Sequence, residues 1–461
     1  MNKIILPKLK KCLSLFLPDQ YFQDKKTLTT IYKYLFIGLA IRVILIPFTS
    51  SPDLLWINWR AHLIVYHKNF FLNAPLMLNH YIHAFFMWIF SPLMPYHDQI
   101  WTHPWTITHP RTPEEFRAML QTFYDFITHR HIFRTLTLLK LPYLLFDLVC
   151  ISFILRLFSN TKNGLKALKF WLFNPINIIV LYVYGRFEVI PAVFILISLY
   201  LIKEQKPLWA SFSLGLGIAT RWYPAMFLPF YIVILGRTKK EKLYLLILGL
   251  LPTGLMNFIA KLGGSLGELD LAAKISHTDY LLSMNFNLGL HDTVYIFVLV
   301  YALLFLYSVY KLPSFRKDSN ASEFEYIVRF TLAAVLLLFA TCYFHLQFFM
   351  WPMTMLTLCV PYDKRLVKLF IISCLCWWVY TWQWGALNTT YLFSPLFKPD
   401  SLESMLNWPY PAQIIENFYP AHKFIGLCRS LLSAVLLAMT FLALKPIISN
   451  SASNNQENRP R

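Results

Sequence analysis

Apolar runs of about 20 residues, divided by short clusters of lysine and arginine, recur between residues 29 and 445. No other feature narrows the possible folds so far. Each run matches the roughly 30 Å hydrocarbon core of a bilayer, and a segment placed there must satisfy its own backbone hydrogen bonds, which a helix does. The charge content agrees: only 14% of residues are Asp, Glu, Lys or Arg, against roughly 25% in soluble domains. With 57% hydrophobic and 17% aromatic residues, disorder is excluded. The chain reads as an all-α polytopic membrane protein.

Spans are predicted near 29–48, 139–158, 167–184, 187–203, 207–222, 223–237, 243–260, 293–311, 325–342, 345–360, 366–384 and 424–445, about 12 transmembrane helices in all. Charge tests the count. With the first 28 residues inside, the clusters Lys3, Lys8, Lys10 and Lys11; Lys162, Lys166 and Lys169; Lys203 and Lys206; Arg237, Lys239, Lys240 and Lys242; Lys311, Arg316 and Lys317; and Lys364, Arg365 and Lys368 all fall on the inner side, as does the polar tail 446–461. That is the pattern of the positive-inside rule. The net charge of +19 is therefore read as membrane topology and not as a nucleic-acid surface.

Regions 1–28 and 446–461 are expected to be cytosolic, flanking a polytopic domain over 29–445. Its outer segments are 49–138, the turn 184–188, 261–292 and 385–423. Thr112-Pro113-Glu114-Glu115 is a capping box with proline at the first helical position. Phe116, Met119, Leu120 and Phe123 follow at helical spacing, which predicts an amphipathic helix on the membrane surface. Tyr81 to Pro95 reads as an interfacial or re-entrant element. The histidines of the first outer segment lack the pair-plus-glutamate spacing of a zinc helix, so no metal site is expected. The seven cysteines imply no disulfide framework, and no nucleotide-binding glycine motif is present.

Candidate chemistry gathers at the outer helix ends. Asp53 follows the first span and is either a general base or an N-cap for the helix through Trp56 and Trp59. Arg186, Glu188 and Arg221 lie at outer ends of later spans. Ionisable groups there are functional candidates, and arginine forks suit phosphate, but a structural Arg186–Glu188 pair or snorkelling arginines read equally well. His345 and Gln347 open another span one turn before Trp351.

The segments Phe173-Asn174-Pro175, Gly185-Arg186-Phe187-Glu188, Gly217 through Pro224 and His345 through Pro352 resemble the polytopic GT-C glycosyltransferases. The polyprenyl-phosphate-dependent mannosyltransferases, including the type of the GPI mannosyltransferase I catalytic subunit, are the nearest likeness. Leu139-Lys140-Leu141-Pro142 with Asp147 also looks like their second span. The resemblance implies inverting transfer of a hexose, mannose in that family, from a polyprenyl-phosphate donor to a lipid-linked or glycan acceptor on the non-cytosolic face.

By that likeness Asp53 is the catalytic acid. Lys140, Arg186 and Arg221 hold the phosphate, Glu188, His345 and Gln347 line the substrate site, and Trp56 and Trp59 stack on sugar. A small membrane subunit is a further implied partner, beside the surrounding lipids. Many members carry two acids close together in that loop, whereas around Asp53 there is only one, which weakens the case for a divalent cation. The membrane would be a bacterial or archaeal plasma membrane, or the endoplasmic reticulum of a eukaryote. From other classes, a lipid-linked-sugar flippase and a glycan polymerase or ligase using a lipid pyrophosphate fit the same composition. A flippase calls for acids or broken helices at mid-membrane.

Overall fold

The computed structural model describes residues 16–72, 77–101, 112–262, 282–289, 292–317 and 322–457. Lys3, Lys8, Lys10, Lys11, His103, His109, Arg459, Arg461 and most of 261–292 lie outside the described residues. The main helices are α1 (Lys25–Leu45), α2 (Pro52–Val65), α3 (Met77–Phe90), α4 (Pro113–Thr128), α5 (Ile132–Leu157), α6 (Thr161–Phe173), α7 (Val189–Lys203), α8 (Pro207–Thr220), α9 (Leu228–Leu235), α10 (Lys239–Leu262), α11 (Ile296–Lys317), α12 (Glu323–Thr341), α13 (Met353–Cys359), α14 (Lys364–Tyr380) and α15 (Ala421–Glu457). One exception breaks the all-α expectation. The strands β1 (Asn285–Gly289) and β2 (Asp292–Tyr295) pair antiparallel, largely exposed, just before α11.

Every apolar run read from the sequence contains a helical element, but their lengths differ. Among the described residues, seven helices are long and apolar enough to cross a membrane, or eight if α6 and Pro175–Val183, bent by 44°, form one span. Val189–Lys203, Tyr223–Leu235 and Leu346–Cys359 are apolar but shorter. The 15 residues of α7 reach about 22 Å. Glu188 bounds this helix at one end and Lys203 at the other, so polar chemistry closes it early.

Large apolar side chains also face outward: Val43 and Ile44 on α1, Leu250 and Phe258 on α10, Leu303 and Leu306 on α11, and Leu431 and Phe441 on α15 are exposed. Such a continuous apolar exterior marks a lipid-facing surface. Together with the long apolar helices, it describes an integral membrane protein.

Helix direction sorts the charges. The α5 helix ends at Leu157, whose carbonyl accepts from Lys203 Nζ at the end of α7. At that same end Gln20 donates to Phe158 O, Lys166 to Pro361 O, Arg316 to Ile234 O, and Arg237 pairs with Glu323. The opposite end holds the start of α2, the turn before α7, the end of α8 and residues 385–410. Ser50 N there donates to Leu392 O, and Tyr184 Oη to Asn388 O. Basic clusters thus gather at one end of the bundle, and Asp53, Arg186, Glu188 and Arg221 at the other.

In the segment before α5, Thr112 Oγ1 accepts the Glu115 N–H, and α4 buries Met119, Leu120 and Phe123 while Phe116 stays exposed. The helix start and its apolar stripe follow the sequence pattern. Deeper in the bundle, Arg42 Nε lies 2.6 Å from Asp147 Oδ2, both fully buried. Asp147 also accepts from Trp171 Nε1 and Tyr182 Oη, and Arg42 Nη1 donates to the Gly38 and Leu172 carbonyls. This network ties α1, α5, α6 and the turn after it. Removing one partner strands the other charge, which costs about 3–5 kcal/mol. Arg42→Met and Asp147→Asn are each expected to lower stability by about that amount, with the double variant losing less than the sum. Tryptophan-detected unfolding in detergent measures all three.

Candidate functional site

The site grows from a helix that stops and restarts. Asn174 caps the new turn, its Oδ1 accepting the Ile176 N–H at 2.9 Å, and Pro175 takes the first position, where no N–H is needed. The turn then widens into a π-helix, Ile179–Val183, before the chain reverses through Tyr184 to Glu188. Loosened carbonyls in such a place require donors.

Lys140, fully buried on α5, supplies them. Its Nζ donates to Thr49 O, to Tyr182 O at 2.8 Å and to Thr49 Oγ1 at 3.1 Å. Thr49 Oγ1 donates to Tyr182 O, and Ser51 Oγ to Tyr184 O. The ammonium expected at a donor phosphate is instead spent on backbone. Lys140 positions the turn that presents Arg186.

Asp53 is not the N-cap of α2. Ser51 occupies that place, Pro52 the first position and Asp53 the next. The Asp53 side chain is 49% exposed, and its Oδ2 lies 3.0 Å from Nη1 of the buried Arg186. Two residues on, Glu188 Oε1 lies 3.0 Å from Arg221 Nη2, and Oε2 accepts from Trp351 Nε1 at 2.8 Å. The Arg221 contact is an ion pair without hydrogen-bond alignment, since Glu188 Oε1 has no hydrogen-bond partner.

The Arg221 guanidinium lies over the rings of Phe187, Phe348 and Trp351 at 5.1, 4.6 and 5.8 Å. Arg221 senses the charges of Glu188, Arg186 and Asp53. The four ionic groups therefore form one neutral cluster of two acids and two bases. Its Nε atoms, on Arg186 and on Arg221, are buried without a hydrogen-bond partner.

The remaining candidates surround this cluster or lie apart from it. Gln347 is buried one residue before Phe348, and His345 stacks on Trp384 at 5.5 Å. Trp56, one turn beyond Asp53, is covered on one face by Arg60, whose guanidinium carbon is 4.0 Å from the ring centre. Trp59 points to a different group, stacking on His62 at 5.5 Å. Burial and the nearby His67 and His97 push the His62 imidazole down to about 3, so it is neutral at ordinary pH.

Sequence spacing missed the Trp351–Glu188 bond and the His83–Tyr143 contact of 2.9 Å beneath Phe187. It also missed a metal-compatible trio, His62, His97 and Asp98. Their separation in the chain follows no motif, because the fold brings a helix end against a later turn.

Comparison with known protein families, characterised proteins and solved structures finds no match to this chain. The site therefore stands on its own geometry.

Gly185 is the hinge of that geometry. Its φ is +71°, and an added Cβ would lie 3.0 Å from Lys140 Cε and 3.3 Å from Leu54 Cδ1. Left-handed backbone costs a side-chain residue about 1–2 kcal/mol, before any clash. Gly185→Ala is expected to lower the melting temperature in detergent. Gly254→Ala, inside α10 where a Cβ meets nothing within 4 Å, is the control and is expected to leave it unchanged or raise it slightly, since alanine favours a helix over glycine.

Proposed function

We propose that this chain is a GT-C-like membrane glycosyltransferase of about twelve membrane-inserted helical elements, acting on the non-cytosolic face. The short helices α7, α8, Tyr223–Leu235 and Leu346–Cys359 complete the count. One end of α7 and of α8 lies at the site, with Glu188 just before the start of α7 and Arg221 just after the end of α8, and Leu346–Cys359 begins there with Trp351 on Glu188. The basic end of the bundle is the cytosolic one by the positive-inside rule.

The observation that carries the reading is the placement of Asp53. It is the one half-exposed member of the cluster, held at 3.0 Å by a buried arginine, with a second buried arginine close by. Such an arrangement suits a base that takes a proton at a charged, partly dry site. The acceptor hydroxyl gives its proton to the Asp53 carboxylate as its oxygen bonds to the anomeric carbon. The bond from that carbon to the phosphate oxygen breaks, and polyprenyl phosphate leaves with the electron pair. Attack opposite the leaving group inverts the centre.

Arg186, through its unspent Nε, and Arg221 stabilise the growing phosphate charge. Glu188, locked by Trp351, fixes Arg221 and orients a sugar hydroxyl. Lys140 acts indirectly, through the turn. The transferred sugar is a hexose, with mannose the first to test.

A separate cleft of about 1210 Å³ lies between α11, α12, α14 and α15. It is walled by Val300, Tyr343, Tyr380, Trp382 and Ile425 and carries Arg429. None of the four ionic groups lines it, and Arg429 already donates to the Phe339 and Cys342 carbonyls, so the reacting phosphate is not placed there.

Asp53→Asn is expected to lower turnover by about 10²–10⁴-fold while the protein stays folded. The assay is release of polyprenyl phosphate from a labelled polyprenyl-phosphate mannose in detergent, where transport cannot register. Unchanged turnover in the variant removes Asp53 as base. Failure of the wild type to release carrier phosphate from any hexosyl donor, beside sugar-lipid movement in vesicles, replaces the enzyme with a flippase.

A further inference from the structure

We propose that His62, His97 and Asp98 bind a divalent transition-metal ion, best matched by zinc, that pins the far end of α2 to the turn His97–Ile100. The donor atoms of these three side chains lie within 4.8 Å of one another. His97 Nδ1 is 2.9 Å from Asp98 Oδ1, and the two imidazole centres are 5.4 Å apart.

His62 is 1% exposed, and its Nδ1 is buried with no hydrogen-bond partner. His97 Nδ1 also makes no aligned hydrogen bond despite the short approach of Asp98. Buried polar atoms are almost always satisfied, and one that is not points to a bound group. His62 Nδ1 and His97 Nδ1 meet that description, and the exposed Asp98 carboxylate converges on them.

The surroundings hold the rings in place. Trp59 stacks on His62 with planes 19° apart, and Tyr66 stacks on His97 with centres 3.5 Å apart. Rings fixed by neighbours are preorganised ligands. A neutral buried imidazole, an imidazole at the rim and an exposed carboxylate form a mixed nitrogen and oxygen set. Calcium and magnesium favour all-oxygen shells, whereas zinc takes these donors in tetrahedral geometry and leaves a fourth position for water.

The site is distinct from the ionic cluster. His62 lies nine residues after Asp53 on the same helix, about 14 Å along the axis. A metal there cannot touch groups reacting at Asp53. Its role is to fasten the outer layer, so the proposal does not depend on the glycosyltransferase reading.

Full-length protein purified in detergent and dialysed against zinc is expected to retain one zinc per chain by elemental analysis. Cobalt in its place is expected to give the visible absorption of a tetrahedral ion. His97→Ala and Asp98→Ala, at partly and largely exposed positions, are expected to fold and to lose zinc affinity about tenfold or more, along with the cobalt spectrum. Chelator is expected to lower the melting temperature of the wild type and not of these variants. Equal zinc retention by wild type and the His97→Ala/Asp98→Ala double variant, or no zinc retained by the wild type, overturns the proposal. So does a chelator effect of the same size in both proteins.

Discussion

One ammonium group organises the candidate site. Where the helix through Phe173 breaks and widens into a π-turn, backbone carbonyls lose their partners at a depth where water is scarce. Lys140 reaches from α5 to the carbonyls of Thr49 and Tyr182, so one side chain satisfies the end of the first span and the irregular turn together. Irregular backbone in a membrane domain persists only where something else meets its hydrogen bonds. Arg186 and Glu188 are carried by that turn, and Asp53 by the helix that starts just after Thr49. Their proximity follows from Lys140 rather than from their mutual attraction.

Charge inside the bundle is handled by neutral pairing. Arg42 with Asp147 and Arg221 with Glu188 are each buried, and each acid has a tryptophan N–H as a second partner. The desolvation cost of such pairs is high, and they do not stabilise a fold by themselves. They differ in one respect. The Arg42 group is enclosed by protein donors and acceptors and serves as a joint between helices. The Arg221 group is continuous with a half-exposed carboxylate, so the same kind of pairing there borders a surface where a ligand can compete for the cations.

Helical class, the apolar exterior and the location of charge were legible because span length and lysine placement are dictated by the bilayer itself. The sequence put Asp53, Arg186, Glu188 and Arg221 at helix ends and offered an Arg186–Glu188 pair, whereas the structure pairs Arg186 with Asp53 and Arg221 with Glu188. From spacing alone Asp53 read more readily as a helix cap, since the residue type that binds a guanidinium also binds free N–H groups; only the placement of Ser51 and Pro52 decides. The backbone contacts of Lys140 were not legible for a related reason. A lysine and a free phosphate suit each other in any sequence, but carbonyls exposed by a π-turn leave no trace in spacing. The histidine trio was hidden because its members meet across 35 residues of chain.

The helix α2 links the two polar centres at its ends. Asp53 stands in its first turn and His62 in its last, with Leu54, Leu55, Ile57 and Ala61 buried between them. A 14-residue helix packed along its length moves as a rod, so its orientation is fixed by constraints at its two ends. At the Asp53 end these are the Ser51–Tyr184 hydrogen bond and the Arg186 ion pair. At the other end the described contacts are ring stacking by Trp59, Tyr66 and Trp101 around His62 and His97. Stacked rings slide at little cost, whereas a coordinated ion does not. A second rigid tie at His62 would therefore hold the carboxylate of Asp53 in place from about 14 Å away, without contributing any group to the reaction.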